Sequence, residues 1–499
     1  MGRADLKIAF VTPELQTLVR RTNLASTAES LAKALLAGRQ DVRVFLPWTL
    51  DVETQHLGPL SEVANLQVKD GAVTQTVRVL EGKLDRLKVY LFENEPFFGS
   101  RHPYGGEEGP YADNWRRYAL FTRAVLESLV PLGFAPDVIH GMDWTTGLLP
   151  LIQKIDYIEK NPEHPASEAG TFFAVHNLAM QGDFEREILP HIGIPHTYFK
   201  QIEGIAHLGK VNFLKAGVEF ATIIGTHSPS HALKIQEQDR GFGMEALFQR
   251  RKKELIGINN GIDYQAWNPM SDGALAASFG PSDKEMAGKR RCKAALQAML
   301  KLDNGPDTPL ACTMGRWDAD SGFDLVNESL TEILERDIEL VVMGSGSREI
   351  AKRLQTLEGA FLGRLRVIEG YSAHTAHMIM GGADMLLLPS HYQPSNPLFA
   401  IGMRYGVVPL VYANGGLEDT IVDYAQTKRY GLGFQFKPYS ADGFMEGLTN
   451  ALTSYKDATR WRTLARRCLN HDLSWKACGS EYIKAYRRVT RRSNKKDSA

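Results

Sequence analysis

Lys7-Ile-Ala-Phe-Val11, a polar loop, a segment from Ser26 to Gly38 and then Val42-Arg-Val-Phe-Leu46 together decide the fold. The two short apolar runs read as buried strands. Between them Ala28, Leu31, Ala32, Leu35 and Leu36 fall three and four residues apart, the spacing of one helix face, and Gly38 ends it. Strand, helix, strand in that order is a βαβ unit, which predicts a parallel sheet with its loops gathered at one end.

The same grammar continues through Asp137-Val-Ile-His140, Thr171-Phe-Phe-Ala-Val175 and the apolar run around Ala221 to Ile224. It restarts after residue 305 with Pro309–Met314, Ile338–Met343, Leu365–Ile368, Met385–Leu388 and Val408–Val411. With 499 residues the chain is too long for one core. Two α/β series therefore predict two doubly wound, Rossmann-like domains facing a deep cleft, with a ligand at the strand C-termini. The Pro-, Ser-, Asp- and Gly-rich stretch from Asn268 to Gly288 is expected to leave the hinge.

Bulk properties exclude several classes. Lys+Arg and Asp+Glu both total 58, so no global charge draws in nucleic acid or an anionic membrane, and a neutral or sugar ligand fits better. Four cysteines, Cys292, Cys312, Cys468 and Cys478, lack metal-ligand spacing and suit a reducing cytoplasm. No metal site is expected. No apolar run approaches the roughly 18 residues of a membrane span, and no signal peptide is expected ahead of the first strand. The basic tail reads as a solvated end.

Chemistry-bearing residues cluster at strand ends. His140-Gly-Met-Asp143-Trp144 follows one strand and His176-Asn177 ends another. Asn259-Asn-Gly-Ile-Asp263 is a third cluster, and Gly415-Gly416 opens a helix. A glycine pair there frees backbone N–H groups for phosphate oxygens, although a plain turn has the same appearance. Asp143-Trp144 also reads as a helix cap with a packed indole, and His176 as a satisfied core histidine. Arg316, after the strand 309–314, can clamp a diphosphate bidentately. Gly344-Ser-Gly346 is another turn where backbone can approach a nucleotide.

In this order these clusters resemble the bacterial glycogen synthases and plant starch synthases along nearly the whole chain. His140 to Pro150 is similar to that family's HAHDWHTALLP, and Thr171 to Gly182 to its TIHNLAYQG. Asn212-Phe-Leu-Lys-Ala-Gly217, Ser228-Pro229, Gly257 to Pro269, Arg404-Tyr-Gly406 and Asp472-Leu-Ser-Trp475 belong to the same pattern.

The resemblance implies a GT-B fold, an ADP-glucose or UDP-glucose donor, and retaining, metal-independent transfer of glucose to an α-1,4-glucan. The nucleotide sugar is a substrate, so no cofactor is implied. It also implies roles. His176, Asp143 and Arg316 serve the chemistry; Arg20, Gly415, Gly416, Ser321, Gln393 and Asn396 stand on the donor and phosphate side; His140, Trp144, Asn177 and Asn212 stand on the acceptor and sugar side. Domains follow as 1–265 (N-terminal, acceptor side), 266–470 (nucleotide sugar), a helix 471–490 packing back on the first domain, and a flexible basic tail 491–499.

Departures from the family pattern gather on the donor side. KTGGLADV is here Arg20-Arg-Thr-Asn-Leu-Ala-Ser-Thr27, so Thr22 and Asn23 replace glycines. The lysine of RLxxQKG is Ser321, with Asp318 and Asp320 close in sequence. FEPCGLTQ is Tyr392-Gln-Pro-Ser-Asn-Pro-Leu-Phe399, so the glutamate is Gln393, and Pro397 has no N–H to offer. The reading adopted is a glucan synthase using a nucleotide-glucose donor, ADP-glucose first. The alternative is a catalytically impaired paralogue that binds glucan or partners a true synthase.

Overall fold

The computed structural model describes residues 5–238, 240–303, 305–391 and 397–496, with side chains to residue 492. The chain folds as two compact units. The first comprises residues up to Asn259 together with those from Trp475 onward; the second is Asn260–Ser474.

The first unit is built on a sheet with the order Leu255–Gly257, Ile223–Thr226, Gly170–Val175, Val138–Met142, Lys7–Val11, Asp41–Pro47, Leu87–Glu93, Val73–Leu84, Ser61–Asp70. The strands from Leu255–Gly257 through Leu87–Glu93 are parallel to their neighbours. Side chains alternate between two apolar layers, as the pleat requires. Ile8 and Phe10 face the helices Leu24–Ala37 and Trp475–Lys496, while Ala9 and Val11 join the layer holding the helices Asn114–Ser128 and Phe213–Phe220. Covered on both sides, Gly170–Val175 is buried at every position, which is why these strands read as continuous apolar runs. Strand order reverses between Lys7–Val11 and Val138–Met142, so the loops after these two strands diverge and leave a crevice.

The second unit has the parallel order Leu365–Glu369, Glu339–Gly346, Leu310–Trp317, Met385–Leu388, Val408–Tyr412, Phe434–Phe436. Its order reverses between Leu310–Trp317 and Met385–Leu388.

Several expectations change. The chain leaves the first unit at Asn259, not at residue 265. The stretch 268–288 is packed inside the second unit, where Phe279 and Met286 are buried and Asp272 accepts hydrogen bonds from Tyr405 Oη (2.5 Å) and Ala274 N (3.0 Å). The last helix, Trp475–Lys496, begins after residue 471 and extends into the segment 491–499 expected to be a flexible tail, as far as the described residues go. The antiparallel extension Ser61–Asp70, Val73–Leu84 was not foreseen: its strands alternate buried and exposed residues instead of forming apolar runs.

Candidate functional site

In the first unit the site starts with a buried carboxylate. Glu14 is fully buried, and its oxygens accept hydrogen bonds from Arg21 N (2.6 Å), Thr22 N (2.8 Å), Thr22 Oγ1 (2.8 Å) and the Tyr104 hydroxyl. One side chain thereby organises the whole loop after Lys7–Val11. Arg21 spends its guanidinium on Asp51 through two 2.7 Å bonds, whereas Arg20 is exposed and forms no ion pair among the described residues. Thr22, which takes a family glycine's place, turns its hydroxyl into the loop. Asn23 has right-handed backbone (φ −66°), so no glycine is required there.

Across the reversal, Asp143 follows Val138–Met142 with φ 54° and ψ −174°, a backbone state sparsely populated by non-glycine residues and typical of strained functional turns. Its Oδ1 accepts from His176 N (2.7 Å) and Asn177 N (3.3 Å), fixing the turn after Gly170–Val175. Asp143 is thus a cap of that turn and not of a helix. Burial pushes its carboxyl up to about 7, partly opposed by those two N–H donors. Burial lowers His176 to about 4, so its imidazole is neutral at physiological pH. His176 Nε2 is buried with no hydrogen-bond partner among the described residues. An orphaned buried nitrogen is costly in the free protein and fits a group that waits for a ligand. Asn177 is exposed beside it.

A further pair lies at the next strand end. The Thr226 hydroxyl donates to Val175 O (3.0 Å) and so accepts from His231 Nδ1 (2.7 Å); the His231 ring lies 3.9 Å from that of His227. Glu14 and this histidine pair were missed in the sequence. Glu14 sits in the first loop, where a buried carboxylate accepting backbone N–H groups leaves no motif of its own.

Three residues expected on the sugar side are buried among packed neighbours. His140 is fully buried, packed on Phe10 and Phe172, with Nδ1 2.6 Å from the Tyr486 hydroxyl of the last helix. Its Nε2 also lacks a partner among the described residues, but it is enclosed by these rings, whereas His176 is only partly buried. Trp144 is a packed indole against Tyr104, Tyr118 and Phe184. Asn212 is fully buried; it caps Phe213–Phe220 by accepting from Lys215 N (2.6 Å) and donates to Gln181 and Asp183.

In the second unit the reversal is again where the polar groups collect. Arg316, at the end of Leu310–Trp317, has a side chain 85% exposed, and its Nε lies 3.1 Å from Asp318 Oδ2. The other oxygen of Asp318 accepts from Ser321 N (2.9 Å). Asp318 therefore ties the cation to the loop that carries the uncharged Ser321. Gly315 and Gly344 pair in register, and a Cβ on Gly344 would lie 1.8 Å from Gly315 O. Gly415 has φ 57° and ψ −139° with open space around it, so backbone conformation demands the glycine; Gly416 begins the helix Gly416–Thr420. Pro397 starts Leu398–Arg404 without an N–H. Gln393 and Asn396 lie outside the described residues. Tyr371, also unforeseen, follows Leu365–Glu369 on the same edge and is 71% exposed.

Comparison with known proteins agrees with this layout. Residues 7–250 match the family described as starch synthase catalytic domain, and residues 299–467 match glycosyl transferases group 1. A glycogen synthase from Geotalea daltonii is 34% identical over 97% of this chain and 99% of its own length. One from Anaeromyxobacter is 35% identical over the same shares. The catalytic domain of starch synthase IV from Arabidopsis thaliana, bound to ADP and acarbose, superposes with a TM-score of 0.83 at 26% identity, covering 98% of this chain and all of that one. Sucrose-phosphate synthase from Thermosynechococcus elongatus shares the fold alone, with a TM-score of 0.56 at 15% identity over 97% of this chain and 99% of its own. With the GT-B fold and matches that run from one end of the described chain to the other, the protein belongs to the glycogen and starch synthase family of glucan-elongating glycosyltransferases.

Proposed function

We propose that the protein lengthens α-1,4-glucan by transferring glucose from ADP-glucose with retention of configuration and without a metal ion. The observation that carries this reading is His176, a neutral imidazole with an unpartnered buried Nε2, held by the strained Asp143. A neutral ring hydrogen-bonds a sugar hydroxyl without placing positive charge beside the oxocarbenium-like carbon that forms as the glycosidic bond breaks. The leaving diphosphate needs positive charge, which Arg316 and the N–H groups at Gly415–Gly416 of the second unit offer. Exposed Tyr371 offers a ring face for the nucleobase. ADP in the Arabidopsis neighbour supports the choice of nucleotide. Free cysteines, three of them buried, fit a cytoplasmic setting, and no described helix is long and apolar enough to cross a membrane.

A second reading, an impaired paralogue that binds glucan or a partner synthase, is favoured by the Arg316–Asp318 pair, by Ser321 and by Pro397. The test runs ADP- and UDP-[glucose] in parallel with glycogen primer, and titrates both donors calorimetrically. Incorporation from ADP-glucose in excess of UDP-glucose is expected. No incorporation with no binding of either donor overturns the synthase reading and leaves the paralogue.

A further inference from the structure

A second cavity, of about 710 Å3, opens at the opposite edge of the second unit's sheet. Pro309, Asp337 and Asp384, each at the residue or two before a strand, line it. The donor-side loops leave from the other ends of these parallel strands; the eight-residue strand Glu339–Gly346 alone spans about 26 Å.

Six cationic side chains line this cavity, Lys289, Arg290, Lys293, Arg336, Lys456 and Arg462, against four carboxylates. Two of the carboxylates are already engaged. Asp384 is held by Lys293 Nζ (2.7 Å), Tyr455 Oη (3.1 Å) and Leu310 N (3.0 Å), and Glu285 by Arg462 (2.5 Å). The other two, Asp307 and Asp337, are exposed. Several cations are under-used. Arg290 and Lys456 form no ion pair among the described residues; Arg290 donates to the Glu285 carbonyl at 2.8 Å, and its charge helps hold the Asp283 carboxyl below the usual range. Arg336 commits its terminal nitrogens to Glu332 (2.9 Å) and Thr449 (3.0 Å), leaving Nε buried without a partner. Buried Lys289 donates to the Met380 and Gly381 carbonyls, at 3.4 and 3.2 Å, and lies over the Phe279 ring (5.6 Å to its centroid). Burial pulls its ammonium down to about 8, partly opposed by Asp384. Met286, Leu452, Trp461 and Ala465 supply an apolar wall.

From these neighbours we infer that the cavity binds a small phosphate monoester, the dianion on the unpaired cations and the organic body against Trp461. The lining is richer in cations than in carboxylates even with Glu332 engaging Arg336 from outside it, and guanidinium groups suit phosphate oxygens. The volume lies within the range of small-molecule sites.

Calorimetry on the full chain tests this with phenyl phosphate, phenol and inorganic phosphate. Phenyl phosphate is expected to bind, inorganic phosphate at least threefold more weakly, and phenol not at all. The double variant Arg290→Gln/Lys456→Gln changes two exposed side chains and keeps the melting temperature; it should weaken phenyl phosphate at least tenfold. Arg316→Ala, on the donor side, should leave that affinity unchanged. Binding lost in Arg316→Ala but kept in the double variant overturns the site. So does phenol binding equal to phenyl phosphate, or no heat from phenyl phosphate at millimolar concentration. Inorganic phosphate binding as tightly as phenyl phosphate overturns the role of the apolar wall.

Discussion

Asp143 shows how much one residue's surroundings decide. Unfolded, its carboxyl titrates near 3.8; folded, it titrates at about 7 because it is buried. Between these values the native state holds the extra proton, so the contribution is full below pH 3.8 and is lost as pH rises through 7, at up to about 1.4 kcal/mol per pH unit. Asp143→Asn keeps an acceptor for His176 N and Asn177 N and tolerates φ 54°. Its melting temperature should therefore gain on the wild type between pH 5 and pH 8, by calorimetry at each pH; parallel curves would refute the raised pKa. His176→Ala should lower kcat about 10²–10³-fold, the usual loss of a pre-placed polar group, with donor KM little changed. Asp318→Asn should release Arg316 and lower donor KM severalfold in initial-rate assays, whereas Arg316→Ala should lower turnover more than Arg20→Ala. The strand-end positions of His176, after Gly170–Val175, and Arg316, near the end of Leu310–Trp317, were legible in the sequence; the roles given to them belong to the proposal. His140 lies in the middle of the strand Val138–Met142 and not at its end as the sequence suggested, and what covers it is Tyr486, 346 positions along the chain, which no local pattern announces.

At the scale of elements, the last helix is the part that most needs its distant partners. Tyr482, Tyr486 and Val489 are buried against the sheet, and Gly170 is the point of closest approach. A Cβ at Gly170 would lie 2.3 Å from Val489 Cγ1. Gly170→Ala should therefore destabilise by about 1–3 kcal/mol, the usual cost of overpacking. Val489→Ala alone should also cost stability, yet added to Gly170→Ala it should restore part of the loss; additive losses in denaturant unfolding would show that the two do not meet. Tyr486→Phe strands His140 Nδ1 and should cost about 1–3 kcal/mol. The parallel strands Lys7–Val11, Gly170–Val175 and Met385–Leu388 were legible as elements because burial on both faces makes them near-continuous apolar runs. The meander Ser61–Asp70, Val73–Leu84, Leu87–Glu93 was not, since its outer strands face water on alternate residues.

For the whole molecule, two doubly wound units follow from two series of strand and helix, and each sheet reverses its order where the polar groups gather. The position of the change between units was displaced because proline and glycine content resembles a linker even where the chain is packed, as from 268 to 288. The family places a glucan-elongating transfer on this framework, and retention with an ADP-glucose donor is the part proposed. The most direct test follows ADP-glucose and a maltooligosaccharide by proton NMR with the protein, in the presence of EDTA. The account predicts that donor anomeric signal falls as α-1,4-linked anomeric signal rises at the same rate, with EDTA without effect. A β-linked product, release of free glucose alone, loss of activity in EDTA, or an unchanged donor signal would contradict it.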